Sequence, residues 1–376
     1  GNDATNAGRF AYMEDLVLGG SDSYTTGIRQ DTYYSGPSWN RYFNPDLTWE
    51  VGEKINLGLD LQLFNDFNLT FDIFREKRRD IFMTRENSIP EIVGTGETKI
   101  TSNNGEMENK GLDLAIDYNK QITKDFFLSF KSTLTFARNK VLKMDEPPYF
   151  EYPGLSDVGH PLGTYWGYVA DGLFPDQETI DNSPRQDLGY TPQPGDIKYV
   201  NQPNAKGEYD NVINSNDRVA IGHPYDPELV YGFGPSMKWK NWDFSFFFQG
   251  VARTSFMMYG MHPFGTTSIK NMLQFVADDH WSVDNPNPNA AYPRLTKDSN
   301  GNNDQYSTYW LRNAAFLKLK NAEIGYTYKG MRFYLSGVNL LTFSPFKHWD
   351  PEMGGGNGLY YPTQRVFNIG FQMTIQ

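Results

Sequence analysis

The chain has 376 residues and a formal charge of −11, from 34 Lys and Arg against 45 Asp and Glu, which argues against nucleic acid as the main partner because phosphate binding needs a basic surface. It has no cysteine, which excludes disulfides, thiol chemistry and Cys-based zinc sites. Aromatic residues reach 16% while the whole hydrophobic set is only 39%, and Gly stands at 35, a balance that favours β-strands joined by long polar loops.

Taken in chain order, the N-terminus Gly1-Asn2-Asp3-Ala4 shows no basic-plus-apolar leader, and no apolar run approaches the ~18 residues of a transmembrane helix. Arg9 to Gly19 and Ser21 to Tyr34 read as a loop and a strand already under way, a poor opening hairpin. Alternation of period two then begins. Ile55, Leu57, Leu59, Leu61 and Leu63 alternate with polar residues, as do Phe67, Leu69, Phe71 and Ile73 after a short Asn65-Asp66 turn. Leu112, Leu114, Ile116 and Tyr118 repeat the pattern, then Phe126, Leu128, Phe130, Leu134 and Phe136. Trp242, Phe244, Phe246 and Phe248 continue it, and Phe367, Ile369, Phe371, Met373 and Ile375 close the chain.

Several of these runs reach about 9–12 residues, longer than the ~5–6 of globular strands and suited to a tilted strand crossing a bilayer. Short turns (Asn65-Asp66, Gln121 to Asp125, Lys240-Asn241) alternate with long connections over 78–109, 139–162, 173–229 and 250–315. That asymmetry is the pattern of an outer-membrane barrel. A soluble sandwich or propeller also alternates, but with shorter strands at regular spacing. About ten to twelve strands are expected, and a short helix within 267–281. The chain is then either a complete small barrel or the C-terminal part of a larger one.

Motifs in the loops favour the second. Asn44-Pro45-Asp46-Leu47-Thr48-Trp49-Glu50, Phe71 to Lys77 and Gly105 to Asp113 come first, then Gly159 to Phe174, Gly195-Asp196-Ile197-Lys198-Tyr199 and Asn216 to Gly222. Asp279-His280-Trp281, Tyr292-Pro293-Arg294-Leu295, Trp310 to Tyr326, Asn339 to Thr342, Asp350-Pro351-Glu352 and Tyr361 to Arg365 follow. In this order the set resembles the SusC/RagA family of TonB-dependent outer-membrane transporters of Bacteroidetes, from about residue 40 to the end. The resemblance implies an all-β fold. Residues 1–376 would be the C-terminal half of a transmembrane antiparallel β-barrel, of about 22 strands when complete, with long extracellular loops. The plug domain and the TonB-contacting segment lie upstream of these motifs in the family and are expected outside this chain. The family's aromatic last residue is replaced here by Ile375-Gln376.

The resemblance further implies TonB-dependent import of an oligosaccharide or peptide, with a SusD-like surface lipoprotein over the loops, the wall in contact with membrane lipid, and localisation in the bacterial outer membrane. A soluble β-rich carbohydrate-binding module is the alternative, and a surface hydrolase a third. Catalysis finds no support. The histidines His160, His223, His262, His280 and His348 show no metal spacing, His348-Trp349-Asp350 lacks a nucleophile, and the carboxylates form no evident pair. No cofactor motif is present. Asp196, Asp210 and Asp217, with Asn214 and Asn216, offer oxygen ligands for calcium in one long loop, although the spacing departs from an EF-hand and such residues mostly build turns. Loop aromatics are the candidates for ligand contact: Tyr149, Tyr165, Trp166, Tyr259, Phe264, Trp349 and Tyr360, because a flat ring stacks on a sugar and a hydroxyl adds a hydrogen bond. Trp239, Trp242 and Trp310 read as an interfacial girdle.

Overall fold

A computed structural model describes residues 10–19, 23–85, 87–90, 92, 100–259, 272–296 and 299–373. Its frame is a nine-stranded sheet in which every neighbouring pair is antiparallel and the strands follow chain order. The strands are β1 Val51–Leu63, β2 Phe67–Arg85, β3 Ile100–Thr123, β4 Phe126–Lys143 and β5 Leu229–Trp239, then β6 Trp242–Ala252, β7 Phe316–Tyr328, β8 Met331–Phe343 and β9 Val366–Met373. Among the described residues nine strands form the wall, against the ten to twelve expected. The remaining strands are two-stranded ribbons outside the wall. Residues 10–41 are of that kind, with Asp15–Val17 paired to Ser38–Arg41 and Ser23–Thr26 to Thr32–Ser35.

The register carries the alternation across the whole sheet. Leu59 lies opposite Phe71, and Phe71 opposite Leu114, which faces Leu134. Further round, Trp239 pairs with Trp242, Trp242 with Tyr326, Tyr326 with Phe333 and Phe333 with Phe371. A one-residue slip anywhere would turn a strand's apolar side chains to the other face. This apolar face is bare: Ile55, Leu57, Leu335, Phe367 and Ile369 are all exposed, and no second sheet covers them among the described residues. A sandwich would bury such a face, whereas a barrel wall turns it to lipid and keeps the polar face for the lumen. The soluble-module alternative fails on this point.

Short turns join the strands at one end. Between β7 and β8, Lys329 and Gly330 both have positive φ (47° and 81°), the two-residue geometry whose twist matches the flanking strands. Trp239 and Trp242 flank the two-residue Lys240-Asn241 connection and are exposed, as an interfacial girdle requires. At the opposite end the structure corrects the expected 78–109 loop. β2 runs on to Arg85 and β3 starts at Ile100. The alternation stops there because both faces meet water beyond the bilayer. Cross-strand charge pairs replace it: Arg75 with Glu108 at 2.5 Å, Lys77 with Glu106 at 3.0 Å and Lys54 with Glu76 at 3.3 Å.

The hydrophobic core lies in the loop layer above the wall. Leu173, Ile197, Tyr199, Ile213, Phe256, Met258, Val276, Tyr292 and Phe346 form one buried cluster. Trp310 belongs to it as well. Its ring is buried and its Nε1 donates to the Asn303 carbonyl at 2.7 Å, so the girdle expectation for this residue is wrong. The helix expected within 267–281 is Gln274–Asp278 among the described residues, with Val276 in the core.

Candidate binding site in the loop layer

Two polar anchors hold the loops that build the site. The first joins the Gly195–Tyr199 motif to residues 292–303. Asp196 is fully buried. Its carboxylate accepts from Arg294 Nε at 2.7 Å, from the Asn300 and Asn303 amides at 3.0 and 2.9 Å, and from the Gln193 N–H at 2.8 Å. Arg294 is also held by the Tyr190 hydroxyl at 2.8 Å. Tyr199 sits beneath, its hydroxyl donating to the Asn302 carbonyl at 2.7 Å, and burial pushes it far above the usual phenol range. The second anchor joins 344–365 to the wall. Lys318, on the polar face of β7 and fully buried, donates to Asp350 at 2.7 and 3.0 Å and to Glu352. Thr363 also donates to Asp350. Burial acts to raise the Asp350 carboxyl, but hydrogen bonds from Lys318, Thr363 and the Glu352 N–H outweigh it and hold Asp350 below the usual carboxylate range.

Between these anchors, five tyrosines line one pocket of about 210 Å³: Tyr165, Tyr225, Tyr259, Tyr306 and Tyr360, with Met257, Met353, Gly354 and Gly355. No charged side chain lines it. A second cavity of about 190 Å³ shares Tyr259 and Tyr306 and continues toward Arg294, Asn300 and Gln305. Tyr225, Tyr259 and Tyr360 are about half exposed, so their rings are available to a ligand. Burial first, then the neighbouring Tyr225 and Tyr306, push Tyr165 up to about 12. Its hydroxyl is therefore neutral at physiological pH, both donor and acceptor. A hydrogen bond with Tyr360 and the proximity of that group raise Tyr259 as well.

The glycine run 354–356 makes this arrangement possible. Gly356 N donates to the Met257 carbonyl at 2.8 Å and Tyr259 N to the Gly356 carbonyl at 3.1 Å, which docks the loop on the Ser255–Met257 strand. A Cβ on Gly355 would stand 2.3 Å from the Met257 carbonyl oxygen. Gly355→Ala must push the segment away, at a local cost of about 1–3 kcal/mol. Faster amide exchange over 354–360 with an unchanged barrel is the expected result, measured by hydrogen–deuterium exchange.

Of the candidates named from sequence, Tyr165, Tyr259 and Tyr360 meet in this pocket. Phe264 lies outside the described residues. Trp349 supports the pocket from below, with Nε1 donating to the Gly354 carbonyl at 2.9 Å and its ring edge-on to Phe346. Trp166 is a packing residue, with Nε1 donating to Asp157 at 2.6 Å and its ring edge-on to His160. Tyr149 is half-buried in the 144–152 connection and lines neither cavity. Tyr225 and Tyr306 escaped the sequence reading; the Pro224-Tyr225-Asp226-Pro227 turn and the Gly354–Gly356 run beside Tyr360 were the available signals.

The carboxylates of Asp196, Asp210 and Asp217 each have hydrogen-bond partners of their own. Asp196 is the partner of Arg294. Asp217 accepts from the Gln202 and Asn214 N–H groups at 2.7 and 2.8 Å, and Asp210 from the Val212 N–H at 3.0 Å. Among the described residues no three His, Asp or Glu side chains converge as metal ligands. His348 stacks on Phe275 at 4.2 Å and lies 3.3 Å from the Tyr292 hydroxyl, while its neighbour Asp350 serves Lys318.

Residues 9–340 match the TonB dependent receptor-like, beta-barrel family. The chain belongs to this family. It is thus a β-barrel chain of the outer membrane, and the bare apolar face is its lipid-facing surface. Similar proteins include TonB-dependent receptor P26 of Formosa agariphila, 28% identical over 96% of this chain and 38% of that protein. TonB-dependent receptor SusC of Bacteroides thetaiotaomicron is 27% identical over 97% of this chain and 35% of its own length. The RagAB peptide importer in its open-open state has the same fold, with a TM-score of 0.71 at 20% identity over 98% of this chain and 38% of that one. The chain thus spans little more than a third of the relatives it matches.

Proposed function

We propose that this chain is the C-terminal wall and loop layer of a SusC-type importer, and that its tyrosine pocket contacts a neutral oligosaccharide. The observation that carries the substrate reading is the lining of five tyrosines without a charged side chain. Flat rings stack on the apolar faces of sugars, and neutral phenols trade hydrogen bonds with their hydroxyls. A peptide would ask for groups that meet its terminal charges, and Arg294, which lines the adjoining cavity, is occupied by Asp196. RagAB is a peptide importer, and peptide remains the substrate against which the proposal is tested.

In this reading the plug, the TonB contact and the strands that pair with the free edges of β1 and β9 come from parts of the protein outside residues 1–376, because lipid does not tolerate an open sheet edge. A SusD-like lipoprotein closes over the loop layer, and TonB supplies the energy through the plug. The chain performs no catalysis. Calorimetric titration of the full-length protein with neutral oligosaccharides and with oligopeptides is the test. Tyr259→Ala and Tyr360→Ala should each weaken oligosaccharide binding about tenfold. Binding of peptides alone, or unchanged affinity in the double variant, would sink the proposal.

A further inference from the structure

The outer face of the wall changes character in a single step. Leu57, Ile73, Leu112, Phe136 and Leu229 form one cross-strand row of the apolar face. Two residues further toward the loops, on the same face, Ile55 is followed by Arg75, Lys110 and Arg138, and the next row is Glu53, Lys77, Glu108 and Lys140. On β4 the apolar face runs from Phe126 to Phe136, ten steps of about 3.3 Å each; at a tilt of about 40° that is roughly 25 Å of height, the full apolar band of an outer-membrane barrel. Arg75, Lys110 and Arg138 therefore stand where the hydrocarbon of the outer leaflet ends and its headgroups begin.

These cations are held in place and still face outward. Glu108, in the next row, takes Lys110 at 2.7 Å and Arg75 at 2.5 Å. Glu228, nearly buried, takes Arg138 at 3.1 Å and Arg253 at 2.6 Å. The carboxylates are covered while the basic side chains are more than half exposed at Arg75, Lys110 and Arg138 (55, 59 and 54%). Lys140 is exposed and has no ion-pair partner among the described residues. Each guanidinium has five donors and spends only some of them on its carboxylate. The groove between β3, β4 and residues 159–161 has a volume of about 540 Å³, with Leu112, Phe136 and Pro161 as its apolar side, Lys110, Arg138 and Lys140 as its cationic side, and the Glu108 carboxylate, already paired to Lys110 and Arg75, also on its lining. Such a basic cluster runs against a chain charge of −11.

We propose that this groove is a binding site for a phosphorylated lipid of the outer leaflet, with phosphate on Lys110, Arg138 and Lys140 and the first acyl segment against Leu112 and Phe136. The pairing of cations with an apolar floor at the headgroup level favours an amphiphile over a free anion. It also sets a fixed lipid beside the strands whose extensions carry the loop layer.

Native mass spectrometry of the full-length protein in mild detergent, titrated with monophosphoryl lipid A, tests this. One tightly held lipid is expected, and Lys110→Gln, Arg138→Gln and Lys140→Gln combined should weaken it about a hundredfold, since each surface cation contributes a factor of about five. Lys131→Gln, which removes a lysine from the lumenal face of the same β4 strand, should leave binding unchanged. Heat-dependent gel migration reports whether the triple variant is folded. Should it fail to insert, the unmodified protein still decides the matter by comparison of lipid A with its dephosphorylated form. Equal binding of the dephosphorylated lipid, retention by the folded triple variant, or displacement by inorganic phosphate would each overturn the assignment.

Discussion

Asp196→Ala is expected to release the loop layer from its own centre, at a cost of about 3–5 kcal/mol. The carboxylate is fully buried and is the common acceptor for Arg294, Asn300, Asn303 and the Gln193 N–H. Its removal leaves the Arg294 guanidinium, whose side chain is only 16% exposed, without a counter-ion, and strands two buried amides. The damage is local to the layer, because no strand of the wall takes part in this network. The barrel should still insert and migrate as a folded band, while hydrogen–deuterium exchange accelerates across 193–199 and 292–304. Arg294→Ala should cost less, since the amide and N–H donors to Asp196 remain. If exchange over 292–304 is unchanged in Asp196→Ala, the network is not what holds these segments together.

Asp350→Ala is the second large effect, about 3 kcal/mol, because it leaves the fully buried Lys318 ammonium with Glu352 as its remaining close partner. The segment 344–365 should detach from β7, and protease cleavage within it should increase. Lys318→Met combined with Asp350→Ala is expected to restore most of the protection, since an apolar isostere needs no counter-charge. Cleavage that stays high in the double variant would show that the segment depends on Asp350 for another reason. The same clasp carries a pH dependence of known sign. Asp350 has a folded pKa below its ordinary value of 3.8, so its contribution is complete above that value and is lost as pH falls through the lower, folded one. Protease sensitivity of 344–365 should therefore be flat around neutrality and rise only below about pH 4. Because this segment carries Trp349, Gly354–Gly356 and Tyr360, the oligosaccharide pocket should weaken over the same acid range.

Much of the wall is legible residue by residue. A strand between lipid and lumen must alternate, so Ile55 to Leu63 or Phe126 to Phe136 announces its own structure with no knowledge of its neighbours. The girdle residues Trp239 and Trp242 follow from their place beside a short turn. Legibility stops where that constraint stops. β2 beyond Arg78 and β3 before Asn109 are strands as regular as the rest, yet above the bilayer both faces are wet, and charge pairs such as Lys77 with Glu106 leave no period to read.

The loop layer is the opposite case. The order of its motifs identified the family, but not what the motif residues do. Asp196 read as a cation ligand until Arg294, distant in sequence, was placed against it, and Trp310 as an interfacial residue until its ring was found buried with Nε1 on the nearby Asn303 carbonyl. The pocket draws Tyr165, Tyr225, Tyr259, Tyr306 and Tyr360 from three connections between wall strands, and nothing about the types or spacing of these residues distinguishes them from Tyr149, which stays outside. Alternation and turn chemistry are local, set by the pleat and by the solvent on each face, so the sequence alone determined the wall and its family. Which buried acid meets which cation, and which rings share one cavity, depends on the path of long connections that carry no repeating constraint, and only the tertiary structure decided it.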